Sequence, residues 1–209
     1  MESSLQERSL KVNIFDTMSQ QYDAPHRVAL AKIINKKIQD SAGDLTGKTV
    51  MDYGCGTGLI GLPLAEKAEK LLLVDPSSKM IEVTQNKIQK TKVKNANAKV
   101  GTTESLDVKS SSDLIVMSLV MLQVPDTKEL LTGLYQALKT NGRLLIVDFD
   151  KNPNVYHERV HNGFEHNRLK TLAEEIGFRN ISIDNFYHGS KIFMQQDATI
   201  FLFSGEKVY

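Results

Sequence analysis

Apolar positions recur along this chain at two spacings, and the two spacings mark out its elements. Val28, Leu30, Ile33, Ile34 and Ile38 repeat at helical spacing, with Lys32, Lys36 and Lys37 on the opposite face. Ser41-Ala42-Gly43-Asp44 ends that helix. Near-continuous apolar runs at Val50-Met51, Lys70 to Val74, Asp113 to Met117 and Arg143 to Phe149 predict strands buried on both faces. A shorter strand is expected around Ala98 to Val100. Residues 79 to 95 predict an amphipathic helix through Met80, Ile81, Thr84 and Ile88. Asp126 to Leu138 predicts another, stopped by Asn141-Gly142. Leu169 to Ile176 predicts a third, closed by Gly177. Ile181 to Tyr187 and Thr199 to Phe203 have no helix between them and pair as a hairpin.

Strands alternating with helices, then a terminal hairpin, predict an α/β fold: a Rossmann-like, mostly parallel sheet with helices on both faces. At 209 residues one domain is expected, with 1–40 as a helical lead-in or lid and 41–209 as the core. Residues 1 to about 20 are polar and mixed, and Gln21 to Arg27 concentrates polar and aromatic groups before Val28. Pro25 suits the first turn of a helix there.

The chemistry concentrates in Val50 to Leu64, VMDYGCGTGLIGLPL. A strand runs into Asp52, glycines follow at 54, 56 and 58, and the apolar segment after them predicts a helix. Glycines permit positive φ and close approach of backbone N–H groups to a ligand, and a helix N-terminus would add partial positive charge. Gly56, Gly58 and Gly61 also satisfy G-x-G-x-x-G, so two nucleotide-type cofactors compete for this turn. Asp75 follows about twenty residues later at a strand end, where a doubly wound fold places an acid that accepts from both ribose hydroxyls.

Composition narrows the classes. The net charge of +1 gives no nucleic-acid footprint, and Lys87, Lys90, Lys92, Lys94 and Lys99 read as a solvated face with no aromatics interleaved. No apolar run is long enough for membrane insertion, and the first residues lack the apolar core of a signal peptide. The single cysteine, Cys55, cannot form an internal disulfide, so a soluble cytoplasmic protein, monomer or homodimer, is the default expectation.

These landmarks together resemble the class I methyltransferases that use S-adenosylmethionine, in particular the small-molecule branch of ubiquinone and menaquinone biosynthesis. VMDYGCGTG is similar to their glycine motif, LLLVDPSSKM to the strand and ribose acid, and GTTESL to the adenine loop. DLIVMSLVMLQVPD and LKTNGRLLIVDF resemble their fourth and fifth strands, GFEHNRLKTLAEEIGF the helix before the sixth, and the terminal hairpin their antiparallel seventh strand. The likeness runs from about Tyr22 to Phe203.

The resemblance implies that the backbone at Gly54 and Gly56 faces the methionine end of the cofactor, that Asp52 helps hold its amino group, and that Asp75 binds the ribose. Thr102 and Thr103 would flank the adenine, Ser118 and Leu119 would line the methyl-donating end, and Tyr22 would close over the methionine portion. Cys55, Pro76, Met80 and Glu104 complete the implied cofactor-binding set. Many relatives carry Asp where this chain has Thr102, and Leu122 to Pro125 lacks the His pair often found there.

The implied reaction is in-line displacement at the sulfonium methyl, to a small-molecule acceptor. The donor is already activated, so alignment dominates, and it can lower the barrier by ~7–11 kcal/mol. An oxygen or carbon acceptor also needs a base, for which His26, Tyr156, His157, His161, His166 and Tyr22 are the candidates. The acceptor pocket is expected between the N-terminal segment and residues 150–166, beyond the carboxyl ends of the strands.

His157-Glu158-Arg159-Val160-His161 spells the zinc-protease signature H-E-x-x-H, but Gly163 and His166 each miss the extended spacing by one, so no metal site is expected. An NAD-dependent oxidoreductase shares the glycine fingerprint and the ribose acid. Against it, Asp52 precedes the first glycine by two residues, no second mononucleotide-binding half follows, and the chain ends in a hairpin. A non-catalytic cofactor-binding module of the same fold is the other alternative.

Overall fold

The computed structural model describes residues 23–105 and 109–209. The elements in order are α1 (Pro25–Ala42), β1 (Thr49–Tyr53), a 3₁₀ turn (Leu62–Glu66), β2 (Lys70–Asp75), α2 (Ser78–Thr91), β3 (Ala96–Val100) and β4 (Ser112–Ser118). A second 3₁₀ turn (Met121–Gln123), α3 (Thr127–Ala137), β5 (Leu138–Phe149), α4 (His166–Ile176), β6 (Phe178–Phe193) and β7 (Gln196–Lys207) follow. They form one seven-stranded sheet in the order β3-β2-β1-β4-β5-β7-β6. β1 to β5 are mutually parallel, and β7 runs antiparallel to both β5 and β6.

Alternation along the strands divides the core into two layers. Val50, Val116 and Val147 face a layer containing Ile34 and Ile38 of α1, Leu64 of the first 3₁₀ turn and Ile81 of α2. Met51, Ile115, Met117 and Ile146 face Leu130, Leu131 and Leu134 of α3 and Leu169 and Ala173 of α4. Helices therefore cover both faces, as the near-continuous apolar strands require.

The helix ends are capped by the residue types that suit them. Ser77 Oγ accepts from Met80 N at 3.2 Å and Asp126 Oδ1 from Glu129 N at 2.8 Å. Gly177 ends α4 at φ 124°. α1 has no basic residue in its last turn, and Arg143 of β5 supplies the missing donors, with Nη2 at 2.6 Å from Ser41 O and 2.7 Å from Ala42 O.

Several expectations are corrected. The helix expected after the glycine turn is only the five-residue 3₁₀ turn Leu62–Glu66. Pro63 sits in its first turn without an N–H, and Leu64 N bonds to Gly61 O in the tighter register. The partial positive charge expected from an α-helix N-terminus is thus absent there. α1 begins at Pro25, and Ile33, expected in its apolar face, is exposed, while Asn35 is buried in that face. Asn141 takes the expected left-handed conformation at φ 62°, but within a bulge of β5: Leu138 pairs with Ser112 and the next pair is Arg143 with Leu114. The terminal hairpin is present and longer than its apolar stretches.

Candidate functional site

Gly54, Gly56 and Gly58 all take positive φ, at 73°, 52° and 79°. At Gly54 space enforces glycine as well, since a Cβ there would lie 2.3 Å from Val120 Cγ2. The turn is tied to β2 by Gly54 N and Cys55 N, which donate to Val74 O at 2.7 and 2.9 Å. Without a long helix behind it, the turn is held by side chains. Gly56 N donates to Asp75 Oδ2 at 2.9 Å and Thr84 Oγ1 to Gly56 O at 2.8 Å. Lys87 Nζ donates to Thr57 O at 2.8 Å, and Asn35 Nδ2 to Ile60 O at 2.8 Å. Lys87, expected on a solvated face, is therefore part of the turn's support.

Two carboxylates bracket the turn. Asp75 ends β2, and its Oδ1 accepts from Ser77 N at 2.9 Å, so both of its oxygens are oriented by backbone donors. Asp52 ends β1 beneath the turn at 1% exposure. It accepts a hydrogen bond from the Gly61 backbone N–H, yet Oδ2 is buried with no hydrogen-bond partner. Burial first, and the Asp75 charge second, push its carboxyl up to about 7. An orphaned carboxylate oxygen under a glycine turn fits a ligand carrying an amino group, and the oriented Asp75 fits a diol.

Cys55 lies inside the turn, buried, with its thiol pushed up by burial and by the nearby Asp52 and Asp75 charges. Pro76 is exposed, and Met80 is buried in α2 beside them. Thr102 donates to the Glu104 carboxylate, and Thr103 Oγ1 is buried without a partner against Gly133. A cavity of about 750 Å³ opens there between Thr103, Glu104 and the length of α3 from Lys128 to Ala137, on the sheet face opposite α1. Tyr22 lies outside the described residues.

Ser118 ends β4 and Leu119 follows it, in the left-handed region at φ 55° and with its N–H donating to Val147 O at 2.8 Å. The connection after them rests on a carboxylate that the sequence did not single out. Asp148 of β5 is fully buried and accepts from Leu122 N at 3.2 Å, Phe149 N at 2.8 Å and the Met121 backbone. Desolvation outweighs these bonds and raises its carboxyl to about 7.

Residues 151 to 165 are irregular, so His157 and His161 do not share a helical face as the zinc signature requires. His157 Nδ1 accepts from Arg159 N at 3.1 Å. His161 docks on the connection after β4: its N–H donates to Leu122 O at 2.8 Å and Nε2 lies 2.9 Å from Val124 O. His166 Nε2 is 2.6 Å from Asp150 Oδ1 at the end of β5. Tyr156 is exposed, as is His26 on α1. Among the described residues no three His, Cys, Asp or Glu side chains gather as metal ligands, and no helix is long and apolar enough to cross a membrane.

This sheet order, with an acid near the end of β1, alternating glycines after it and a second acid at the end of β2, is that of an α/β protein with the methyltransferase fold. Residues 44–199 match the family model described as a methyltransferase domain, and the chain belongs to that family. It is 26% identical to an uncharacterized methyltransferase of Schizosaccharomyces pombe, over 90% of this chain and 88% of that one. It is 28% identical to the demethylmenaquinone methyltransferase of Lactococcus lactis, over 65% of this chain and 56% of the relative.

Among solved structures, phosphoethanolamine N-methyltransferase 2 of Haemonchus contortus in complex with S-adenosyl-L-methionine aligns with a TM-score of 0.71 at 18% identity, covering 84% of this chain and 52% of that one. A SAM-dependent methyltransferase from Aquifex aeolicus aligns with a TM-score of 0.71 at 18% identity over 92% and 98%. The expected fold and the expected methyltransferase assignment are both borne out. The nicotinamide alternative finds no support: β7 returns antiparallel between β5 and β6, where a second mononucleotide-binding half would continue in parallel.

Proposed function

We propose that this chain binds S-adenosylmethionine across its glycine turn and transfers the methyl group to a small-molecule acceptor. The observation that carries the reading is the pairing of Asp75 with Gly56: the acid expected at the ribose is already locked to the turn expected at the methionine end. S-adenosylmethionine supplies a sulfonium-activated methyl group when bound. Asp75 presents its carboxylate to the ribose hydroxyls, and Asp52 offers its orphaned oxygen to the amino group. Thr102, Thr103 and Glu104 take the adenine end, and Ser118 and Leu119 the methyl end.

The acceptor site lies between the connection after β4 and residues 150–166. Leu119, Val160 and Phe164 are partly buried apolar groups there, which favours an acceptor with an apolar or ring-bearing body, in keeping with the quinone methyltransferases among the relatives. His161 is the favoured base. A carbonyl oxygen only accepts, so Nε2 facing Val124 O carries the proton and Nδ1 holds the basic lone pair. His157 has its Nδ1 taken by the Arg159 N–H and is the weaker candidate.

Calorimetric titration with S-adenosylmethionine, S-adenosylhomocysteine and NAD, repeated on Asp75→Ala, tests the cofactor assignment. Binding of both adenosyl sulfur compounds, lost in the variant and absent for NAD, is expected. Binding of NAD alone would sink it.

A further inference from the structure

The first described residue, Asp23, stands immediately before the N-cap Ala24 of α1 and joins three parts of the chain at one carboxylate. Its Oδ1 accepts from Thr57 Oγ1 at 2.5 Å, inside the glycine turn. Its Oδ2 pairs with Lys87 Nζ of α2 at 2.5 Å, and the same ammonium donates to Thr57 O at 2.8 Å. Thr57 is thus gripped at both its side chain and its carbonyl, and Asp23 is common to the grip. Both Asp23 and Lys87 are about one-third exposed, so this contact can open without unfolding the core.

The local architecture makes such a grip necessary. A glycine turn normally runs into a helix that fixes the direction of its N–H groups, and here only a 3₁₀ turn of five residues follows. Thr57 lies between two positive-φ glycines, the stretch of backbone with the most conformations to lose. From one side Asp75, Thr84 and Lys87 pin it to β2 and α2. From the other side α1 reaches it through Asn35 at Ile60 and Asp23 at Thr57.

We propose that Asp23 is a positioning residue for the cofactor: through Thr57 and Lys87 it fastens the chain entering α1 onto the glycine turn and holds the turn in its binding conformation. The proposal rests on the S-adenosylmethionine reading above. A charged acceptor between a hydroxyl and an ammonium makes bonds about twice as strong as neutral ones, so Asp23 is a strong member of the set of side chains that fixes the turn.

The test is calorimetric titration of the full chain with S-adenosylhomocysteine for the wild type, Asp23→Ala, Asp23→Asn, Thr57→Val and the double variant Asp23→Ala/Thr57→Val, with dissociation rates by stopped flow. Asp23→Ala is expected to weaken binding about tenfold, mainly by faster dissociation. Asp23→Asn keeps an acceptor for Thr57 and is expected to lose less. Thr57→Val removes only a hydroxyl, and its effect is expected to vanish in the Asp23→Ala background, because both act through one contact. Melting temperatures of the unliganded variants are expected to stay near the wild-type value, and a variant that fails this check is set aside in favour of Asp23→Asn and Thr57→Val. Unchanged affinities, or fully additive losses, overturn the proposal while wild-type binding leaves the cofactor reading standing. No binding by the wild type overturns both.

Discussion

The carboxylate of Asp75 receives the backbone N–H of Gly56 at 2.9 Å, across nineteen residues of sequence. That bond locks the end of β2 to the glycine turn after β1, so two strand ends present one preformed surface. With Ser77 N on its other oxygen, Asp75 is a structural hub before any ligand arrives. Asp75→Ala leaves two backbone donors without their acceptor. A loss of about 1–3 kcal/mol in urea unfolding of the unliganded protein is expected, with Asp75→Asn losing less. Equal stability of wild type and Asp75→Ala would show that the hub carries no structural weight.

Gly61 is irreplaceable for a reason unrelated to its φ. A Cβ there would sit 2.4 Å from Asp52 Oδ2, 2.7 Å from Asp52 Cβ and 2.8 Å from Leu73 Cδ2. Both neighbours are buried, so neither can swing aside. Gly61→Ala is expected to destabilise by about 1–3 kcal/mol, read as a lowered urea midpoint with an unchanged slope.

Asp52 makes stability depend on pH in an unusual direction. Its carboxyl titrates at about 7 in the folded chain against 3.8 as the ordinary value. Between those values the folded state keeps a proton that the unfolded state has lost, so stability falls as pH rises across that window. Asp148, also at about 7, acts in the same sense. Asp52→Asn is expected to flatten the decline between pH 5 and 7.5 by on the order of 1–3 kcal/mol, leaving the part due to Asp148. Parallel profiles for wild type and variant would refute this account.

Arg143 completes α1 from a distant strand. Removing its two hydrogen bonds to Ser41 O and Ala42 O strips the helix end of these donors, and its last turn has no basic residue to replace them. Arg143→Met is expected to cost about 1–3 kcal/mol, detected in thermal or urea unfolding and in faster amide exchange along α1.

The sheet and most of its elements were legible because buried parallel strands write themselves as unbroken apolar runs, as at Leu71 to Val74 and Leu114 to Met117. Asp75 was legible for the same reason, standing at the end of such a run after the glycines. Leu59 to Ala65 misled, since its apolar spacing suits a helix while Gly61 and Pro63 forbid a long one. Lys87 and Asp148 were illegible in a different way. An amphipathic helix shows Lys87 as one more solvated cation, and an Asp148 near the end of a strand looks like any other. Their roles depend on backbone groups at Thr57 and Leu122 that only the folded chain brings near.

β7 lies inside the sheet, between β5 and β6, although it follows both in sequence. During synthesis the parallel strands β1 to β5 can assemble as each emerges. β6 cannot join them, because β7, which links it to β5, has not yet been made. The outer edge of β5, with Leu144, Ile146 and Val147 along it, stays open for the same interval. The nascent chain therefore passes through a stage with a long apolar strand edge uncovered, and the arrival of Thr199 to Phe203 closes it in one step.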